Sequence, residues 1–238
     1  SFKQKKIFEN RGINSFYLPF LVPENSFYKT NESREEIAID LMIDPNKIKN
    51  RVIISSFQRD TLPDLKTPKW QKNPQGLIEI LKKIPRHSFV LLLCGPRRHF
   101  IRNECIKNNI PFIFYGKNTE VDDLHENNID KEIINKLYNL SDIYLVSSLS
   151  EGGPKAILES ILTKTIVFST DVGLSSDFLS KEFIIGENMS IDKDLINLNN
   201  IKKIREKITS QNLKNYKLIY SKYDRYLLKI YNSILNEV

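Results

Sequence analysis

The chain has 238 residues, of which 40% are apolar and 27% are charged, and its formal net charge is +7. No apolar run approaches the ~20 residues that a membrane-spanning helix needs, so the composition indicates a globular protein with a sizeable core. The basic surplus suits an anionic nucleotide, an anionic membrane surface or a nucleic acid. Because no nucleic-acid-binding motif accompanies the charge, nucleic acid is the least favoured of these partners.

Cysteine usage indicates the redox compartment. Cys94 falls in a predicted strand and Cys105 in a predicted helix. Two such cysteines do not make a disulfide framework, which favours a reducing, cytoplasmic setting. We therefore expect a cytoplasmic protein, and peripheral contact with the anionic inner face of a membrane stays an open alternative.

The first fifty residues differ in pattern from the rest. Residues 2–11 are compatible with a short helix, and the sequence YLPFLVP at 17–23 predicts an extended connector punctuated by proline. From residue 51 onward, apolar runs alternate with segments of helical periodicity, which is typical of βαβ units.

This alternation predicts an α/β fold, a Rossmann-like parallel sheet flanked by helices. We expect strands at 52–57, 89–94, 111–115, 143–147, 166–169 and 183–185. We expect helices at 74–84, 97–108, 131–139, 154–163 and 175–179, followed by a helical C-terminus. In the first of these helices, Leu77, Ile80, Leu81 and Ile84 repeat at the spacing of one helix face.

The C-terminal segment carries an apolar stripe at alternating spacings of three and four, made of Leu213, Tyr216, Tyr220, Tyr223, Leu227, Ile230 and Ile234. This spacing predicts one helix of about 25 residues with a single apolar face. We expect that face to dock onto the parent domain. A membrane-surface role for the stripe is the minority alternative.

The segment 150–159, with the sequence SEGGPKAILE, is the most informative in the chain. It follows a predicted strand and opens a predicted helix, with Pro154 suited to the first helical position. Gly152 and Gly153 allow a ligand to approach the backbone closely, and a helix N-terminus attracts anions. Two carboxylates, Glu151 and Glu159, flank this anion site. The pattern favours binding of a phosphorylated polyol.

Cationic residues stand at the ends of other predicted strands. Arg59 follows the first strand and Lys72 immediately precedes the first helix, so both are expected at the carboxyl edge of the sheet, where α/β folds bind ligands. Lys69 is an alternative to Lys72. Gly95 and Arg97 follow the second strand, and Gly116 ends the third. His87, His99 and His125 share no metal-like spacing, and we expect no metal.

Segment 150–159 resembles the Glu-x7-Glu signature of the retaining glycosyltransferases of family 4, in the GT-B superfamily. The similarity continues through 165–173, and upstream to SSFQRD at 55–60 and KNPQG at 72–76, so it covers roughly residues 15 to 235. The family usually has glycine directly after the lysine, where this chain has Asn73.

The resemblance implies the donor-binding half of an enzyme that transfers a sugar from a UDP- or GDP-sugar to a saccharide or lipid-linked acceptor, with retention of anomeric configuration and no required cofactor. It implies three catalytic residues, Arg59 and Lys72 on the diphosphate and Glu151 on the sugar. The implied donor-binding residues are Gly152, Gly153, Pro154, Lys155, Glu159, Gly95, Arg97 and Gly116. Family membership also points to bacterial polysaccharide or glycolipid biosynthesis.

For the domain organisation, the resemblance implies a remnant of an N-terminal domain and a linker at 1–50, a nucleotide-sugar-binding domain at 51–200 and a C-terminal helical segment at 201–238. The acceptor-binding N-terminal domain would then be missing from this chain.

Two other functions remain open at this point. One is a non-hydrolysing nucleotide-sugar epimerase with the same fold, and the other is a catalytically silent nucleotide-sugar-binding module. A dinucleotide oxidoreductase is disfavoured, because Ser55-Ser56-Phe57-Gln58 stands where a Gly-x-Gly-x-x-Gly would follow the first strand.

Overall fold

The computed structural model describes residues 1–192, 194 and 196–235, and within them six strands form one parallel sheet in the order β3-β2-β1-β4-β5-β6. The strands are β1 Val52–Ser56, β2 Phe89–Cys94, β3 Phe112–Tyr115, β4 Ile143–Val146, β5 Ile166–Thr170 and β6 Ile184–Ile185. Every pair of neighbouring strands is parallel. The predicted α/β fold class is confirmed, and each predicted strand is present with ends that agree within one residue.

Helices flank the sheet. They are α1 Phe2–Glu9, α2 Arg34–Asp40, α3 Pro45–Ile48, α4 Pro74–Lys82, α5 His99–Lys107, α6 Lys131–Leu140, α7 Lys155–Leu162, α8 Ser175–Phe178, α9 Leu198–Tyr220 and α10 Tyr223–Leu235, with 3-10 turns at Trp70–Lys72 and Lys181–Phe183. No helix among the described residues is long and apolar enough to cross a membrane.

Two apolar cores lie on opposite faces of the sheet. In β1, Val52 and Ile54 belong to the larger core and Ile53 to the smaller one, as the alternation of side chains along a strand requires. The smaller core is covered by α2 and α3, which the sequence analysis did not predict. A sequence signal for α2 was present: Ser33 and Glu36 form a capping box, in which each side chain bonds the other residue's backbone N–H at the start of the helix.

The prediction of one continuous C-terminal helix is wrong. A turn at Ser221–Lys222 divides the segment into two helices, α9 and α10. At the break the Ser221 hydroxyl donates to the Leu218 carbonyl at 2.9 Å, the kind of side-chain bond that competes with helical backbone bonding. Tyr216 on α9 is buried, whereas no residue of α10 is buried. The apolar stripe thus docks in its first part only.

The strand order changes direction between β1 and β4, which pair directly. At such a switch point the loops that follow the two strands leave in opposite directions and open a crevice at the carboxyl edge. The loops after β1 and β4 carry Arg59 and Glu151, so the fold itself brings the two predicted regions to one crevice.

Candidate active site

The loop after β4 places Glu151 beside Lys72. The carboxylate of Glu151 is only 14% exposed, and its Oε1 accepts a hydrogen bond from Lys72 Nζ. The Ser148 hydroxyl lies 2.9 Å from the same oxygen. Two residues predicted for catalysis, 79 positions apart in sequence, are therefore in direct contact.

Backbone contacts hold Lys72 in this position. Leu149 donates its N–H to the Gln71 carbonyl at 2.8 Å, which fastens the Trp70–Lys72 turn to the loop after β4. The Ser147 hydroxyl lies 3.0 Å from the Lys72 carbonyl oxygen and 3.1 Å from that of Asn73. The cation is thus positioned by the same loop that carries Glu151.

Asn73 occupies a left-handed conformation, with φ 46° and ψ 58°, and its side chain accepts from the Gly76 N–H at 3.1 Å to cap α4. Glycine and asparagine are the residues that adopt this conformation most readily. Asn73 therefore adopts a conformation that glycine also adopts readily, and its side chain adds a helix cap.

The second predicted carboxylate, Glu159, lies on α7 and is partly buried. Its Oε2 accepts a hydrogen bond from the Tyr138 hydroxyl at 2.8 Å. Burial raises the pKa of Glu159, while the Tyr138 bond and the charges of Lys155 and Lys131 act in the opposite direction. Glu159 is therefore a hydrogen-bond acceptor held in a poorly solvated position.

A cavity of about 540 Å³ joins these groups. Lys72, Glu151, Pro154, Lys155 and Glu159 all contribute to its lining. The structure thus brings together five of the predicted site residues, around a volume suited to a small-molecule ligand.

The rest of the lining was not predicted. Phe57, Tyr138 and Tyr144 pack with ring centroids 5.0–5.3 Å apart and contribute aromatic surface to the cavity. Residues of the connector, Leu21, Val22 and Pro23 together with Phe27, also line it. No local signal separates these aromatic residues from ordinary core residues.

Arg59 lines an adjoining cavity of about 450 Å³, to which Phe57, Gln58 and Lys72 also contribute. Lys72 thus faces both cavities. The pKa of Lys69 is lowered by burial and then by the nearby charges of Arg59 and Lys72. Three cations therefore lie close enough to repel one another, which favours an anion as their common ligand.

The two glycines of the motif differ in their surroundings. A Cβ on Gly152 would meet no atom within 4 Å, whereas a Cβ on Gly153 would lie 2.5 Å from Phe20 Cδ2. A side chain at position 153 would therefore require the Phe20 ring of the connector to move. Pro154 precedes α7 as its N-cap rather than opening it as the first helical residue, because α7 begins at Lys155.

Five predicted donor-binding residues lie outside the lining of both cavities: Gly152 and Gly153, described above, and Gly95, Arg97 and Gly116. Arg97 forms a two-point pair with Asp122, at 2.8 and 2.7 Å, and takes the left-handed conformation with φ 57°. Gly95, with φ 83°, belongs to the same turn. Gly116 lines a separate cavity beside α2 and α3. Their predicted roles stay predictions.

Metal ligation has no support among the described residues, which contain no group of three or more His, Cys, Asp and Glu side chains placed to hold an ion. The charged groups that line the cavities are instead lysines, an arginine and two carboxylates. This arrangement can bind a diphosphate through its cations and hydroxyl groups through its carboxylates.

Comparison of the sequence with models of known protein families gives a match. The model of the glycosyl transferases group 1 matches residues 62–215, which is more than half of the chain. A comparison with curated proteins finds no match.

Solved structures share the fold at low sequence identity. A glycosyltransferase from Rickettsia africae is 19% identical with a TM-score of 0.66, and 100% of this chain covers 62% of that one. A sucrose-phosphate synthase from Thermosynechococcus elongatus is 16% identical with a TM-score of 0.65, and the match covers 99% of this chain and 57% of that one. Anabaena HepE in complex with UDP and glucose is 14% identical with a TM-score of 0.63, and the match covers 99% of this chain and 62% of that one. The chain thus spans about three fifths of the length of these GT-B structures.

Proposed function

Because the chain belongs to the glycosyl transferases group 1 family, we propose that it is the donor-binding half of a retaining glycosyltransferase of family 4. It binds a nucleotide diphosphate-sugar and, with an acceptor-binding half, transfers the sugar to a saccharide or lipid-linked acceptor. The observation that carries the proposal is the meeting of Lys72, Glu151 and Glu159 around one cavity at the switch point of the sheet.

Each charged group has a role in this proposal. Arg59 and Lys72 bind the diphosphate and stabilise the charge that develops on it as the bond to the sugar breaks. Glu159 accepts hydrogen bonds from the ribose hydroxyls, and Glu151 orients the sugar. The N-terminus of α7 and the Gly152–Gly153 backbone lie along the phosphates. No metal is assigned a role, since the cations supply the neutralising charge.

The chemistry that these groups support is substitution on one face of the sugar. The bond from the anomeric carbon to the phosphate oxygen breaks as the acceptor oxygen bonds to the same face of that carbon. The acceptor proton passes to the departing phosphate oxygen, so the configuration is retained. The two carboxylates that line the cavity, Glu151 and Glu159, are assigned to the sugar and to the ribose in this proposal, and neither is assigned covalent attack on the anomeric carbon.

We propose a uridine or guanosine diphosphate-sugar as the donor. The HepE structures, which share this fold, contain UDP, UDP-glucose, or UDP with glucose. The aromatic wall formed by Phe57 and Tyr138 offers apolar surface beside Glu159, where the ribose would lie.

Thermal denaturation with a nucleotide panel tests the donor proposal. A ligand at 100 times its dissociation constant stabilises the folded chain by about 2.7 kcal/mol, which for a chain of this size raises the Tm by about 5 to 10 °C. We expect this rise with UDP or GDP and a much smaller one with the matching nucleoside. Equal effects of nucleotide and nucleoside would refute the diphosphate site.

Retention is tested separately, with this chain joined to an acceptor-binding half. Proton NMR of the product formed from an α-linked donor should show an α-glycoside. A β-linked product would contradict the retaining assignment while leaving the donor site intact.

A further inference from the structure

A fully buried ion pair includes the residue that directly follows Arg59, one of the predicted phosphate-binding cations. Arg98 and Asp60 are 0% and 1% exposed, and Arg98 Nε lies 3.5 Å from Asp60 Oδ2. Asp60 is the residue after Arg59 in the chain. Neither member of the pair lines the two cavities described above.

Fold stability does not explain why this pair is present. Burying two charges costs several kcal/mol per ion before any attraction is counted, and well-packed apolar pairs are often as stable. The pair is also incompletely bonded, because within the described part of the chain Arg98 Nε and Nη1 and Asp60 Oδ2 have no hydrogen-bond partner. An arrangement this costly calls for a role other than packing.

The side-chain bonds of the pair connect two segments of backbone. Arg98 Nη2 donates to the Ser56 carbonyl, at the end of β1, at 2.9 Å. Asp60 Oδ1 accepts from the Phe100 N–H, in the first turn of α5, at 3.1 Å. The side chains thus join the end of β1 to the start of α5.

The backbone of Asp60 extends this connection toward the cations. Its N–H donates to the Arg97 carbonyl at 3.0 Å, and its carbonyl accepts from the Lys69 N–H at 2.8 Å. Lys69 leads directly into the turn that ends at Lys72, whose N–H donates back to the Lys69 carbonyl at 2.9 Å. One residue therefore lies at the junction of the Arg59 loop and the Lys72 turn.

The positive charges of Arg59, Lys69 and Lys72 repel one another. The charges of Arg59 and Lys72 both lower the pKa of Lys69, after the larger effect of burial. Because Arg59 is exposed, its loop is free to relax toward solvent unless the backbone is fixed. A buried pair that fixes the backbone opposes this relaxation.

We propose that Asp60 and Arg98 form a positioning pair that holds Arg59 and the Lys69–Lys72 turn at the spacing a diphosphate requires. The inference rests on the proposed function, because it assumes that these cations bind the phosphates. Neither member of the pair touches the ligand, and both act through Arg59 and Lys72.

The test compares diphosphate binding with nucleoside binding by NMR titration of the chain. UDP and GDP are each titrated against the matching nucleoside, uridine or guanosine. In Asp60→Asn we expect diphosphate affinity to fall about 10-fold, the loss of one charge-assisted contact, with nucleoside affinity unchanged. Asp64→Asn is the matched control, because this carboxylate lies in the same loop and accepts from the Lys66 and Thr67 N–H groups there. We expect this variant to bind like the parent chain.

A double-mutant cycle identifies the residue through which Asp60 acts. In an Arg59→Ala background, Asp60→Asn should cost less than it does alone, because the part of its effect that acts through Arg59 is already lost while the part that acts through Lys72 remains. A full effect in that background, an equal loss of nucleoside and diphosphate affinity, or no loss at all would each overturn the inference. Because Asp60→Asn leaves Arg98 buried without its counter-charge, the Asp60→Asn/Arg98→Met double variant is measured too. It should fold with a Tm near that of the parent chain and still lose diphosphate affinity.

Failure of the proposed function gives a different result. If the parent chain binds diphosphate no more tightly than nucleoside, the phosphate site is absent and this inference is overturned with it. If the parent chain prefers diphosphate and Arg59→Ala removes that preference while Asp60→Asn and the double variant do not, only the positioning role is overturned.

Discussion

Lys72 donates through Nζ to Glu151 Oε1, so the residue assigned to the donor phosphates and the residue assigned to the donor sugar are in direct contact. The ion pair is partly exposed, with the two side chains 22% and 14% exposed. A diphosphate must compete with Glu151 for Lys72. Separating Lys72 from Glu151 therefore costs free energy and lowers the affinity for the donor.

The competition predicts opposite effects for the two partners. Glu151→Gln removes the competing charge and should tighten UDP or GDP binding about fivefold, the effect of releasing an ion pair of roughly 1 kcal/mol. Lys72→Ala removes a charge-assisted contact to phosphate and should weaken the same binding about 10-fold or more. Calorimetric titration of the nucleoside diphosphate measures both.

Lys69→Ala is the control for the Lys72 variant, because Lys69 belongs to the same cation cluster but does not line the two cavities described above. It should weaken binding less than Lys72→Ala does. Weaker diphosphate binding by Glu151→Gln would show that Glu151 supports the phosphates rather than competing for Lys72.

We expect substitution of Glu159 to raise the stability of the folded chain and to weaken nucleotide binding. Burial raises its pKa above the ordinary value. Between the ordinary and the raised pKa, the folded chain keeps a proton that the unfolded chain has released, so stability falls as pH rises through that window. Above the window the ionised carboxylate lowers stability. Glu159→Gln, whose amide oxygen still accepts from Tyr138, should therefore have a higher Tm than the parent chain at pH 7.5.

The same substitution should weaken nucleotide binding, because an amide offers a poorer acceptor to the ribose hydroxyls. Thermal denaturation from pH 4 to pH 8 checks the sign: the Tm advantage of the variant should shrink as pH falls below the raised pKa. A variant that is less stable than the parent chain at pH 7.5 would contradict the account. The positive charges of Lys155 and Lys131 act on Glu159 in the opposite direction to burial and lower its pKa.

We expect alanine at position 152 and alanine at position 153 to have different effects on the free energy of unfolding. Gly153→Ala brings a Cβ to 2.5 Å from Phe20 Cδ2 and 3.3 Å from Leu174 Cδ1, and overpacking of this kind costs about 1 to 3 kcal/mol. Gly152→Ala meets no neighbour within 4 Å and should leave the unfolding free energy nearly unchanged. Chemical denaturation of the two variants provides the measurement.

A second substitution identifies the cause. Phe20→Ala alone removes a half-exposed ring, and combined with Gly153→Ala it should recover most of the stability that Gly153→Ala loses. If the double variant is as unstable as the sum of the two single variants, Phe20 is not the clashing group.

The sheet was predictable because its strands are continuous buried runs, such as β2 with the sequence FVLLLC, separated by helices with clear periodicity. The positions of Glu151 and Lys72 at one crevice also followed, since strand ends meet at one edge of a parallel sheet. Local pattern was sufficient for both.

Features that depend on distant residues were not predictable. Tyr138 looks like a core residue of α6 in the sequence, and only its 2.8 Å bond to Glu159 shows its second role. Gly153 was interpreted as ligand-facing, whereas its neighbour Phe20 comes from the connector. The Asp60–Arg98 pair joins two loops, and no spacing within either loop indicates it.

The central claim is that the crevice binds a nucleoside diphosphate through Lys72 and Glu159. The most direct measurement is calorimetric titration of this chain with UDP, GDP and ADP, with and without magnesium, alongside Lys72→Ala and Glu159→Ala. The account predicts selective binding of UDP or GDP that does not require magnesium and that both substitutions weaken. Binding that neither substitution changes, or no binding of any of the three nucleotides, would contradict it.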